Sequence, residues 1–365
     1  MSATGTRCFI NFSKAFDRVN HEVLLRKLEG FGVSGNVLHW IGAYLTGRTW
    51  RVRVQDHLSS ARPALSGVPQ GSVLGPRLFT IYVSELPGLI GSKCLLYADD
   101  LKVWRTVQTH EDAVALQQDL DALNKWSVKN YLPINPAKCS AMVIGRSQEQ
   151  PQYTFNGLGI VTVKSVRDLG MLVTDDLKSK HHTAKARLSG LRALWAMKRT
   201  FSSWSAELFT MIHRTYIRPV LEYGAPAYFP CTKGEARTLE NVQRLGSRMV
   251  PELRGLSYED RCQRLGLFPL RYRRTRADLI FIYRVLVQRD FPEFERLFPR
   301  LLDTKTRGHD LRIKVLRTDN LPHVYRLSRR AVPLWNQLPS EAVHAPTIEA
   351  FKLALDRSSA RHAEQ

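Results

Sequence analysis

The sequence has no run of eighteen apolar residues, so no helix drawn from it can cross a bilayer. Met1–Arg7 lacks the basic and apolar blocks of a secretory signal. Cysteine is scarce. The five present (Cys8, Cys94, Cys139, Cys231 and Cys262) form no C-x-x-C pair and no Cys/His cluster. That excludes a zinc knuckle and a disulfide framework and places the chain in a reducing, intracellular compartment. Internal repeats and low-complexity tracts are also lacking, which removes solenoids and linkers. Acidic residues are few, 33 against 54 Lys and Arg, for a net charge of +21 over 365 residues.

The deficit is uneven. Residues 1–177 hold 19 Lys/Arg and 15 Asp/Glu, whereas residues 178–330 hold 32 and 14. A field of that sign and density attracts a polyanion, and nucleic acid is the obvious one. At 44% apolar, the chain has ample material for a buried core.

The first half reads as mixed helix and strand. Arg7–Phe12 is a short apolar strand, Ser13–Gly30 has helical spacing, and Val37–Leu45 continues it. Trp50–Val54 alternates as a half-buried strand does. Thr109–Trp126 is the clearest helix, with Thr109 and Asp112 as a capping box and Ala113, Leu116, Leu120 and Leu123 as its buried stripe. Residues 131–145 turn into another strand. Beyond about residue 177 the pattern becomes basic and amphipathic, which predicts a boundary there, a helical unit over 178–330, and a tail over 331–365 with one helix. Trp126, Trp195, Trp204 and Trp335 fall on amphipathic patterns as core residues, and His181 and His182 read as solvated.

Chemistry concentrates at "YADD", residues 97–100, which reads as the tip of a tight hairpin. Two adjacent aspartates repel each other and gain nothing from a turn unless a cation lies between them. Phosphoryl transfer assisted by two metal ions needs carboxylates from several segments and, beside them, a small-residue loop to admit a nucleotide. "SGVPQGSVLGPRLF" (66–79) has that composition: Gly67, Gly71 and Gly75 allow close approach, and Gln70 offers both a donor and an acceptor.

Taken in order, "FSKAFDRVNHEVLLRKL", "SGVPQGSVLGPRLFTIYVSEL", "LLYADDLKVW" and "NYLPINPAKCSAMVIG" resemble motifs A to D of a reverse transcriptase. The wording is closest to the jockey and chicken-repeat groups of non-LTR (LINE-type) retrotransposons. "VKSVRDLGMLVTDDLKSKHH" (163–182) resembles that family's primer-grip hairpin and thumb entry, and several later stretches resemble its C-terminal extension. The resemblance implies an α+β fold: a right-hand polymerase palm over 1–177, an antiparallel sheet with packed helices, then a basic helical thumb and extension. It implies RNA-directed DNA polymerase activity with Mg²⁺, on an RNA template with a DNA primer and dNTPs, in a nuclear or cytoplasmic ribonucleoprotein without membrane or zinc.

Carried over by position, Asp99 and Asp100 are the motif C metal ligands, and Gln70 and Gly71 line the nucleotide pocket. Phe16 is the aromatic gate against a ribose 2′-hydroxyl, with a core residue as the competing reading. Lys138 is the motif D lysine, placed to protonate the departing pyrophosphate or to attract the triphosphate, or else is a solvated lysine. Arg271, Arg273, Arg274 and Arg276, with Tyr272 among them, would track an RNA backbone, against the plainer reading of a solvated helix face.

The chain departs from the family at Asn11, where motif A begins with an aspartate. Asparagine keeps one carbonyl oxygen but loses the charge that a hard cation requires. Asp17 reads as a capping or exposed group, unable to replace it. Met1 lies only ten residues before motif A, so the resemblance further implies a truncated chain with fingers and endonuclease largely absent and an uncovered apolar palm surface of poor solubility. The expectation is an impaired polymerase domain; the alternatives are a non-catalytic RNA- or DNA-binding remnant and a translated gene fragment.

Overall fold

The computed structural model describes residues 5–145, 151–230, 232–301, 308–315 and 326–363. It divides between Val166 and Arg167 into two compact units. Cys231 lies outside the described residues.

In the first unit β1 (Gly5–Asn11) leads to α1 (His21–Gly30) and α2 (Gly35–Leu45). Four two-residue strands follow: β2 (Thr49–Trp50), β3 (Arg53–Val54), β4 (His57–Leu58) and β5 (Arg62–Pro63). Then come α3 (Leu74–Val83), β6 (Lys93–Tyr97), β7 (Asp100–Thr106), α4 (His110–Lys129) and β8 (Ser140–Ile144). Short strands β9 (Thr154–Phe155), β10 (Leu158–Gly159) and β11 (Val161–Thr162) close it.

Five strands form one sheet in the order β11-β8-β1-β7-β6. β1 lies antiparallel to both β7 and β8, so the first strand in sequence occupies the centre. Alternation along it decides which face is which. Thr6, Cys8 and Ile10 are buried, while Arg7, Phe9 and Asn11 are half-buried on the opposite face. Leu101 and Val103 of β7 and Ala141 of β8 join the inner face, which packs on Leu24 and Leu28 of α1, Phe79 and Tyr82 of α3, and Leu116, Leu120 and Leu123 of α4. Each such large apolar side chain contributes roughly 1.5–3 kcal/mol through burial.

The Thr109–Asp112 capping box forms as the sequence reads: Asp112 N–H donates to Thr109 Oγ1 and Thr109 N–H to Asp112 Oδ2, at 3.3 and 3.2 Å. Two expectations need correction. Ser13–Gly30 is not one helix, because Lys14 takes a left-handed φ of 50° ahead of a 3₁₀ turn, Ala15–Asp17. Asn20 then caps a new helix by accepting from Val23 N–H at 3.0 Å. Trp50–Val54 is not a half-buried strand. Its strands pair only within small two-stranded ribbons, apart from the main sheet, so Trp50 stays 53% exposed.

The boundary falls within β12 (Ser165–Asp168), which forms a hairpin with β13 (Met171–Thr174), turned by Leu169 and Gly170 at φ 44° and 84°. Helices α5 (Lys180–Thr200), α6 (Ala206–Ile212), α7 (Arg218–Glu222), α8 (Lys233–Arg248), α9 (Tyr258–Arg264) and α10 (Leu270–Tyr283) follow. Near the end are α11 (Leu327–Arg330), α12 (Val332–Asn336), α13 (Ser340–Val343) and α14 (Ile348–Ala363).

One apolar cluster joins α5, α6 and α8 through Leu194, Phe209, Leu239 and Val242. Gly246 makes that approach possible, since a Cβ there would meet the Phe209 ring at 2.6 Å. A second cluster gathers Ile282, Tyr283, Trp335 and Phe351, with the Tyr283 and Phe351 rings stacked 4.3 Å apart. Trp126, Trp204 and Trp335 are core residues as expected, but Trp195 is 47% exposed. It follows the fully buried Leu194 by one position, about 100° around the helix, which turns it off the packed face.

Candidate active site

Strands β6 and β7 pair from Lys93↔Trp104 to Tyr97↔Asp100, leaving Ala98 and Asp99 as a two-residue turn. Ala98 adopts φ 53°, a left-handed conformation that usually falls to glycine or asparagine. The base of the hairpin is fixed from α4: the Asp119 carboxylate accepts from Gly91 N–H and Ser92 N–H, both at 2.9 Å. Asp99 thus stands at the tip and Asp100 begins β7, both partly exposed.

Asp100 is the register partner of Asn11, the last residue of β1. Both lie on the face opposite Ile10 and Leu101, which are buried in the core. Directly opposed residues on antiparallel strands have Cβ atoms about 4.5–5.5 Å apart. An uncharged amide therefore faces the second carboxylate of the YADD turn.

The segment that carries Lys138 is tied to the same strand end. Phe12 bridges to Ile134, Ser13 N–H donates to Pro133 O, and Asn135 N–H donates to Asn11 O, the last two at 2.8 Å. A 3₁₀ turn, Pro136–Lys138, starts there and leaves Lys138 exposed. Cys139 closes it, accepting Asn11 N–H at its sulfur, 3.5 Å away. Burial, then the neighbouring Cys139, pushes the Cys8 thiol up to about 12, and burial also raises Cys139. Both thiols stay protonated at neutral pH and neither serves as a thiolate ligand.

Five residues beyond Asn11 a second group assembles. Val68 N–H donates to Phe16 O and Gly67 N–H to Val19 O, both at 2.8 Å, which lays the 66–71 loop against residues 16–19. Phe16 is half-buried and stacks on Phe79 with ring centroids 4.5 Å apart. Gln70 is exposed and donates from Nε2 to Asp17 Oδ1 at 2.8 Å, and Gly71 is exposed at φ 78°. Asp17 is therefore the acceptor that orients Gln70. Sequence reasoning also passed over His21 and Arg48, whose side chains converge on Gly67 O at 2.9 and 2.6 Å. No local pattern marks them, because their shared partner lies 46 and 19 residues further on.

The donor set around the turn does not fit a two-ion cage. It offers Asp99, Asp100 and a neutral amide, and among the described residues no three or more His, Cys, Asp or Glu side chains are grouped to hold a metal. Two carboxylates can give each of two ions one anionic side chain, but with Asn11 neutral no third carboxylate stands there to bridge the pair.

The arginine run on α10 is divided. Arg271 is exposed. Arg273 is bound bidentately by Glu222, and Arg276 by Asp356. Arg274 is only 4% exposed, donates to Leu221 O and Tyr228 O, and is lowered to about 10 by burial. The expectation that all four track RNA is corrected for Arg274, which packing removes from solvent. His182 also departs from its solvated reading: it is buried, its Nδ1 accepts from Leu172 N–H at 3.2 Å, and burial lowers its pKa.

Residues 5–173 match the family model described as "Reverse transcriptase (RNA-dependent DNA polymerase)". The chain is 29% identical over 265 residues to an RNA-directed DNA polymerase from the mobile element jockey of Drosophila funebris, covering 68% of this chain and 28% of that protein. It is 26% identical over 254 residues to a probable RNA-directed DNA polymerase from transposon X-element of Drosophila melanogaster, covering 66% and 28%. It thus spans little more than a quarter of those relatives. Among solved structures, a telomerase from Candida tropicalis, in complex with a TWJ fragment of telomeric RNA, aligns at a TM-score of 0.42 and 12% identity, covering 75% of this chain and 41% of that one.

Proposed function

Because the chain carries a reverse transcriptase domain of the non-LTR retrotransposon type, we propose that it binds an RNA template, a DNA primer and a dNTP but is impaired in nucleotidyl transfer. In this reading the first unit is the palm and the second a basic thumb and extension. Phe16 and the 66–71 loop form the nucleotide pocket, with Gln70 held by Asp17 so that its remaining amide atoms face the ligand. Asp99 and Asp100 stand where the family holds its divalent ions, Mg²⁺ by expectation. Lys138 stands beside them as the cation for the triphosphate.

The observation that carries the impairment is the Asn11–Asp100 pairing. It puts an amide where a third carboxylate is needed. Losing a group that merely orients a metal ligand costs about 10–100-fold, and losing a ligand costs more.

A second reading is a non-catalytic RNA- or DNA-binding protein, favoured by the charge excess over residues 178–330. Primer extension on an RNA template with Mg²⁺ and dNTPs separates the two readings. Extension by Asn11→Asp alone supports the impaired polymerase. Silence from both chains, each still binding template, supports the binding protein. Full extension by the unmodified chain removes the impairment from the account.

A further inference from the structure

Between α6 and α7 the backbone makes a π-helical turn, His213–Ile217. Such turns are rare and gather at functional sites. His213, at its start, is 1% exposed, and its ring lies 5.6 Å from that of Phe209. Neither ring nitrogen has a hydrogen-bond partner. Buried polar atoms are nearly always satisfied, so two orphans on one ring call for a partner from outside the chain.

The ring lines a pocket of about 260 Å³ with Arg214, Arg218, Gly266, Leu267, Phe268 and Arg273. Three guanidiniums meet there. Glu222 engages Arg273 bidentately and also acts on Arg218. Arg214 gives one N–H to Gly266 O at 2.8 Å; the Arg218 backbone N–H donates to His213 O, but its side chain makes neither a hydrogen bond nor an ion pair among the described residues. One carboxylate against three arginines leaves the pocket positive. Burial, then Arg218, Arg273 and Arg214, lowers His213 to about 3, so its neutral ring keeps one N–H to donate.

We propose that His213, Arg214, Arg218 and Arg273 bind one phosphate group. Guanidinium forks match phosphate oxygens in charge and geometry. The pocket is smaller than the roughly 300–1,000 Å³ of sites that enclose a whole small molecule. It suits a single phosphate with its substituents outside, as on a nucleic-acid backbone. The assignment stands whether or not Asp99 and Asp100 support nucleotide addition.

The test follows the His213 ring resonances of the full chain during titration with inorganic phosphate, with single-stranded RNA, and with the same oligonucleotide carrying neutral methylphosphonate linkages. Movement with RNA but not with its neutral analogue supports the site and identifies a backbone phosphate. Movement with inorganic phosphate alone supports it as a site for the free anion. Arg218→Gln, at a half-exposed and unpaired position, should weaken the binding about tenfold or more. Resonances unmoved by either charged probe, or affinity unchanged in a folded Arg218→Gln chain, overturn the proposal.

Discussion

Asn11 lies directly across from Asp100 in the register of β1 and β7, at the sheet end where the YADD turn projects. An amide there accepts the neighbouring carboxylates without added repulsion. Asn11→Asp should therefore lower stability in a chelating buffer by up to about 1 kcal/mol, the scale of cross-strand charge pairs. Magnesium should reverse the loss, since a cation between the three acids turns repulsion into attraction. Urea denaturation with and without Mg²⁺ reads both effects. Identical midpoints in the two buffers would show that the three positions do not form a common cation site.

Gly67 and Gly71 belong to one loop but carry different constraints. Both have positive φ, 86° and 78°, yet a Cβ on Gly67 would lie 2.8 Å from the Asp17 backbone while one on Gly71 would meet nothing within 4 Å. Gly71→Ala should cost about 1–2 kcal/mol for its left-handed backbone alone. Gly67→Ala adds a steric conflict and should cost about 2–4 kcal/mol. Thermal denaturation of the two variants decides it, and equal losses would mean that the loop is not seated on residues 16–19.

The arginines of α10 should separate by role. Arg274→Gln strands buried carbonyl acceptors beside the ion pair of Asp278 and Arg330, whose atoms approach to 2.8 Å. Its expected cost is about 3–5 kcal/mol. Arg271→Gln should stay within about 0.5 kcal/mol of the unmodified chain. If Arg271 contacts a phosphate, RNA affinity should fall and its logarithmic salt slope should shrink by about 1. Chemical denaturation and salt-dependent RNA titration together test the division.

His213 gives folding a pH dependence of fixed sign. Burial and the neighbouring arginines hold its pKa at about 3 in the folded chain, against about 6.5 for an ordinary imidazole. Between those values the unfolded chain binds a proton that the folded chain refuses. Its contribution is therefore complete above pH 6.5 and is lost as pH falls toward 3, at about 1.4 kcal/mol for each unit within the window. His182, also lowered, acts in the same direction. His213→Gln should flatten the slope of denaturation free energy between pH 6.5 and 4. An unchanged slope would mean that the buried ring titrates normally.

Legibility followed the range of the interactions. The Thr109 capping box closes within three residues, and the α4 stripe needs only helical periodicity: the box stands as read, and of the stripe Leu116, Leu120 and Leu123 are buried while Ala113, in the first turn, is half-buried. The YADD hairpin is similarly local, since Tyr97 and Asp100 pair across a two-residue turn. What escaped depends on partners far along the chain. Asp119 looks like any polar helix residue until its carboxylate meets amides 27 and 28 residues earlier. Gln70 stands out in its loop by side-chain type alone, but the acceptor that orients it, Asp17, lies 53 residues away. Arg274 shares a charged run with Arg271, and only tertiary packing separates a buried arginine from a solvated one.

The five-strand order leaves β6 at one margin of the sheet, and among the described residues no strand pairs with its outer side. Leu95 and Tyr97 project from it, 51% and 62% exposed. Such a margin is a template: its unpaired amides and carbonyls can recruit a further strand, and the two side chains would give the newcomer an apolar footing. Lys93 is the only charge along β6 itself. At high concentration two copies would then pair β6 to β6 by sheet extension, in an association that salt leaves intact, and a second lysine in place of Leu95 would be the simplest way to keep the chain dispersed.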